Sequence, residues 1–138
     1  MEDYPSEKVG DAASCGTQTA AMVTTGFDGA SRAYTNEYDG TNYASATAYP
    51  SARYALGLFG IQTSAVGAGG NASPTTLANS YDGTSWTAIG SLGTGRQLPF
   101  DAAAGANSTA GLVFGSDSRV TTTEEYTLAT TARSVDTT

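Results

Sequence analysis

The chain has 138 residues, enough for one domain, with a net charge of −7 and no histidine. Ser-His-Asp and Cys-His catalysis and the usual histidine zinc ligands are therefore outside its means. Six basic residues, scattered singly in an acidic chain, give no footprint for nucleic acid, and no stretch approaches a membrane span. Leu, Ile, Val and Phe make up 19 of the 138 residues, or about 14%, a poverty that can signal disorder. Eight Tyr, one Trp and regularly spaced turn signals argue for a folded chain instead. Such a chain is expected to draw its stability from sheet hydrogen bonds, stacking and contacts with other chains.

The predicted elements are short strands between Gly, Asn, Asp and Pro clusters, and no window sustains helical periodicity. Residues 1–16 lack the apolar core of a signal peptide. Within them Tyr4-Pro5-Ser6-Glu7-Lys8 matches Tyr49-Pro50-Ser51-Ala52-Arg53. The single Cys15 has no basic neighbour and reads as a small strand residue. Strands are expected near 19–23, 34–38, 43–46 and 54–59, and again near 63–68, 76–81, 86–89 and 98–103.

These strands recur because the chain repeats itself with a period of about 44 residues. Tyr38-Asp39-Gly40-Thr41-Asn42-Tyr43 returns as Tyr81-Asp82-Gly83-Thr84-Ser85-Trp86, and Arg53 returns as Arg96. Gly16-Thr17-Gln18-Thr19 returns as Gly60-Ile61-Gln62-Thr63 and, loosely, as Gly105-Ala106-Asn107-Ser108. The repeat domain covers 1–126: a partial unit 4–15, units 16–59 and 60–104, and a partial unit 105–126. Residues 127–138 form a polar tail, either a closing strand or a disordered end.

Asp39-Gly40 and Asp82-Gly83 are hairpin signals, because both residue types tolerate positive φ. A calcium loop would concentrate several oxygen ligands, whereas each Asp here stands alone. Tyr38, Tyr43, Tyr81, Trp86 and Tyr126 are locked to the period and read as packing posts between sheets, with sugar stacking the sharper alternative. Tyr4, Tyr49, Pro50 and Phe100 lie in or near connecting segments and are the candidates for exposed contact. The triplets at Asn71 and Asn107 match the glycosylation pattern, as chance allows in an Asn/Ser/Thr-rich chain. Glu124 and Glu125 are adjacent, so a strand would point them to opposite faces and spoil them as a catalytic pair. No catalytic, cofactor-binding or metal-binding residue is assigned.

Val66-Gly67-Ala68-Gly69-Gly70, Tyr81 and Trp86 together resemble the Kelch-type repeat. The first copy keeps Gly26, Tyr38 and Tyr43, with Phe27 in place of the second glycine; the third keeps Gly115 and Tyr126. The wording Gly-Thr-Gln-Thr-Ala-Ala, Glu-Tyr-Asp-Gly-Thr-x-Trp and x-Ala-Arg-Tyr is similar to repeats in structural proteins of tailed bacteriophages. The resemblance implies an all-β fold of four-stranded, propeller-type blades and a non-enzymatic role. The chain would be a structural or host-contact component of a virion (fibre, appendage or decoration) that meets other virion proteins and a host glycan or protein. No cofactor, no nucleic acid partner and no membrane insertion is expected. Two whole and two partial blades are too few for an ordinary ring. Closure would come from a longer chain, from two or three copies forming a homo-oligomer, or from stacking along a fibre axis. The alternatives are a cellular Kelch-type protein-interaction module and a carbohydrate-binding domain. Galactose-oxidase-type chemistry is disfavoured, since its copper wants imidazole ligands.

Overall fold

The computed structural model describes residues 3–5, 9–71, 75–97, 103–116 and 121–127, with the backbone of 131–135. Its described residues contain no helix and form three four-stranded antiparallel sheets. Sheet 1 holds β1 (Ala13–Thr17), β2 (Ala20–Phe27), β3 (Ser31–Tyr38) and β4 (Tyr43–Ser45). Sheet 2 holds β5 (Tyr54–Ile61), β6 (Ser64–Asn71), β7 (Ala78–Tyr81) and β8 (Trp86–Ala88). Sheet 3 holds β9 (Ala103–Asn107), β10 (Ala110–Phe114), β11 (Thr123–Thr127) and β12 (Thr131–Val135). Within each sheet every strand pairs with its neighbour in the chain.

The period is real, but the sheets are framed one strand earlier than the repeat wording suggests. Gly-x-Gln-Thr is not an opening. It straddles the end of a first strand and the two-residue turn Gln18-Thr19 or Gln62-Thr63. Gly16 and Gly60 take φ of 111° and 115° there, and a Cβ on either would fall 2.2 and 2.3 Å from the carbonyl oxygens of Ala20 and Ser64. The strand at 54–61 therefore belongs to sheet 2, and the strand at 13–17, which sequence reading missed, completes sheet 1. The third unit is also whole. Ala103 opens β9, and β12 lies in the polar tail, paired with β11 from Thr123↔Val135 to Thr127↔Thr131. Residues 98–102 of the expected strand at 98–103 lie outside the described residues.

The sheets are layered, with sheet 2 in the middle. On a pleated strand alternate side chains face opposite ways. Leu56, Leu58, Ala65 and Tyr81 pack on Ala13 and Met22 of sheet 1. Phe59, Val66, Ala68 and Ala78 pack on Val113 and Tyr126 of sheet 3. Hence β5 and β6 are almost continuously buried, while β1 and β10 are buried only in part. The low aliphatic content suffices because small residues let the layers approach. A Cβ on Gly105 would lie 2.8 Å, and one on Gly111 2.2 Å, from the Phe59 ring. The ring thus rests on the glycine backbone of sheet 3, where dispersion contacts are dense.

Candidate interaction surface

After their fourth strands, sheets 1 and 2 each send a connector back along their own third strand and then into the next sheet. In the first connector Ala46 N–H donates to Thr35 O (2.9 Å), Tyr49 N–H to Ala33 O (2.8 Å) and Arg53 N–H to Arg32 O (2.9 Å). The second repeats the pattern with Ile89 to Ala78, Leu92 to Thr76 and Arg96 to Thr75. Gly26 N–H and Gly70 N–H then donate to Arg53 O and Arg96 O, each at 2.9 Å.

What the connector inserts differs between sheets. Tyr49 enters sheet 2, where its hydroxyl donates to Gly67 O (3.1 Å) and accepts from Asn79 Nδ2 (2.9 Å). Its ring meets Trp86 edge-on, with centroids 4.8 Å apart. Tyr49 is 2% exposed, which corrects the expectation of an exposed contact, and burial pushes its phenol up to about 12. Tyr4 does the same in sheet 1, accepting from Asn36 Nδ2 (3.1 Å) and meeting Tyr43 edge-on at 5.3 Å.

Sheet 3 solves the problem with charge. Leu92 stands where Tyr49 does, and Glu124 stands where Asn79 does. Glu124 accepts from Gly93 N–H (2.5 Å), Thr94 N–H (3.2 Å) and Arg96 Nη2 (2.8 Å). Arg96 also donates to Gly115 O (2.9 Å), Thr122 O (2.8 Å) and Thr122 Oγ1 (2.8 Å). The Arg96 side chain is fully buried and that of Glu124 nearly so, which is tolerable because donors and acceptors are matched.

The recurrent aromatics serve packing. Tyr38 lies on Tyr43 and Tyr81 on Trp86 in the same way, with centroids 4.8 Å apart and interplanar angles of 39° and 38°. Tyr81 OH donates across the layer to Glu37 Oε1 (2.8 Å); burial first, then this carboxylate, raises its pKa. Trp86 Nε1 donates to Thr47 O (3.1 Å), and Tyr126 OH to Gly90 O (2.9 Å). Gln62 Nε2 reaches back from its turn to Ala21 O and Tyr38 O, each at 3.1 Å. Asp39 and Asp82 cap their turns: each Oδ1 accepts two backbone N–H groups at 2.7–2.9 Å. Those bonds, from Asn42 and Ser85 foremost, hold both carboxyls below the usual range.

Pro50 is exposed, and Phe100 lies outside the described residues. Cys15 sits in β1 beside the core, and burial pushes its thiol up to about 12. Glu124 faces sheet 2 and Glu125 the opposite side, as strand alternation requires. Sequence reading did not single out the exposed apolar positions. Tyr34 is 46% exposed, with the Arg32 guanidinium 5.8 Å from its ring centre and ion-paired to Asp28 at 2.8 Å. Leu112 and Phe114, on the outer face of sheet 3, are 41% and 42% exposed. Ala104, Ala110, Gly111 and Glu125 surround Leu112 in a shallow depression there. Counting the repeat forward from Val66 and Ala68, both buried, locates this patch.

No protein-family model matches the chain, and no curated protein matches it.

Proposed function

We propose that this chain is a Kelch-like, propeller-type module of a tailed-bacteriophage virion, with an architectural or host-contact role and no catalytic one. The observation that carries the reading is the hand-over of side chains between layers: Tyr81 to Glu37, Gln62 to the Ala21 and Tyr38 carbonyls, Trp86 to Thr47. Polar groups that an enzyme would present to a substrate are spent on joining one four-stranded unit to the next. The buried Arg96–Glu124 pair is of the same kind. Such a stack serves as a rigid mount, and exposed loops and faces supply its contacts. The phage assignment itself rests on the repeat wording, which is similar to that of virion structural proteins.

Immunogold labelling of purified particles with antibodies to the chain tests this. Labelling at a discrete virion location is expected. Unlabelled particles from a lysate that contains the protein would sink the virion reading and favour a cellular Kelch-type interaction module.

A carbohydrate-contact role is compatible with the same mount, and Tyr34 is the observation that favours it. Its ring is the most exposed of the large aromatics named above and offers a stacking face beside Arg32 and Asp28. A glycan array probed with the native protein and with Tyr34→Ala checks it. A signal lost in the variant is expected, and no signal for either protein removes the idea.

A further inference from the structure

The two outward faces of the stack carry the two halves of the contact that the sheets already make with one another. By register, the outer face of sheet 1 presents Ala21, Val23, Tyr38 and Tyr43. Their counterparts Ala65, Gly67, Tyr81 and Trp86 are what sheet 2 sets against sheet 1 and its connector. The outer face of sheet 3 presents Leu112, Phe114 and Glu125. Their counterparts in sheet 1 are Met22, Thr24 and Glu37, which receive sheet 2; Val66 and Ala68 of sheet 2 likewise receive sheet 3. Met22, Thr24, Val66 and Ala68 are all at 0% exposure, against 41% and 42% for Leu112 and Phe114.

One polar side chain on sheet 1 makes the mismatch specific. Gln18, the counterpart of Gln62, is exposed at its turn. The carbonyls equivalent to those Gln62 binds are Gly111 O and Tyr126 O, by the pairing Gly111↔Tyr126.

We infer that two copies of this chain associate head to tail, the outer face of sheet 3 of each covering the outer face of sheet 1 of the other. Leu112 and Phe114 then pack on Ala21 and Val23. Gln18 reaches the carbonyls of the partner's Gly111 and Tyr126. The contact is heterologous, so it must close to be finite. Two copies bring six sheets, inside the range of about 4–8 that closed rings of such sheets use, while three bring nine. The inference rests on the ring-like part of the proposed function and not on the virion assignment, which particle labelling tests separately.

Light scattering behind a sizing column, on the 138-residue chain, is the test. A mass of twice 13.9 kDa is expected. Leu112→Asp/Phe114→Asp alters only exposed side chains, and Gln18→Ala/Val23→Glu alters the opposite face. Each variant alone should run as one chain with an unchanged circular dichroism spectrum. Their equimolar mixture at the same high concentration should regain a two-chain mass, because one of the two contacts is rebuilt. A wild-type chain that stays single, assembles as three or polymerises overturns the proposal. So do variants that remain dimeric, or a mixture that does not reassociate.

Discussion

Thr25 has a left-handed backbone, with φ of 59°, and its hydroxyl is buried without a partner among the described residues. The matching hydrogen bonds of Gly26 and Gly70 align Thr25 with Gly69 (φ 72°), and the strand register aligns both with Gly115 (φ 66°). The glycine pair of the repeat is therefore broken at its first position by Thr25, not at its second by Phe27. A β-branched residue at positive φ costs on the order of 1–3 kcal/mol, and the orphaned hydroxyl adds to that. Glycine gives back roughly 0.5–1 kcal/mol in chain entropy. Thr25→Gly should thus stabilise the fold by about 1 kcal/mol or more, seen as a higher urea midpoint with an unchanged slope. The sequence showed that a glycine was missing. It could not show which one, because the strand register that anchors the repeat is set by hydrogen bonds and not by residue identity.

The phenols give a second expectation at this scale. Tyr49 is pushed up to about 12, and burial raises Tyr81 and Tyr126 in the same direction. The folded state therefore prefers them neutral. Their stabilising share is complete below the unfolded pKa of about 10 and is lost as pH climbs toward 12. Urea midpoints measured from pH 8 to 12 should fall above about pH 10, and less steeply in Tyr49→Phe. At the acid end the sign reverses. Asp39 and Asp82, held low by backbone N–H groups, favour the fold above about pH 4 and cease to do so as they protonate.

Among elements, the connectors matter most. Tyr49 with Asn79, and Leu92 with Glu124 and Arg96, are two chemical solutions to one geometric need. Arg96→Met leaves the Glu124 carboxylate buried beside two backbone donors but without its countercharge. A loss of about 3–5 kcal/mol is expected by denaturant titration. Tyr49→Phe orphans Asn79 Nδ2 and should cost about 1–3 kcal/mol. The strands themselves were largely legible: Tyr54–Ile61 and Ser64–Asn71 follow from small and apolar runs between turn glycines. β1 and β12 were not, since Ala-Ser-Cys-Gly-Thr and Thr-Ala-Arg-Ser-Val carry little apolar signal of their own and are held by pairing with neighbours. The burial of Tyr49 was hidden for a related reason. It sits in a connector, and only the next sheet, 18 residues on at Gly67, closes over it.

For the whole molecule, sequence reading reached the class and the period but not the layering. Nothing in a list of residues says that sheet 2 is covered on both sides, yet its β5 and β6 contain no charged side chain while β3 contains Arg32 and Glu37. That contrast is the trace the layering leaves in composition. If copies associate through the outer faces, the thermal midpoint should rise with protein concentration, as linkage requires. A midpoint constant over a hundredfold range would mark a fold complete in one chain.

The order of the layers also sets an order of assembly in time. Each strand pairs only with its chain neighbours within its own sheet, so every hairpin can form as soon as its second strand has been made. A nascent chain emerging amino-terminus first would finish sheet 1 before sheet 2 exists, and the connector bearing Tyr49 would be laid along β3 in advance. Each completed layer then serves as the template on which the following one condenses.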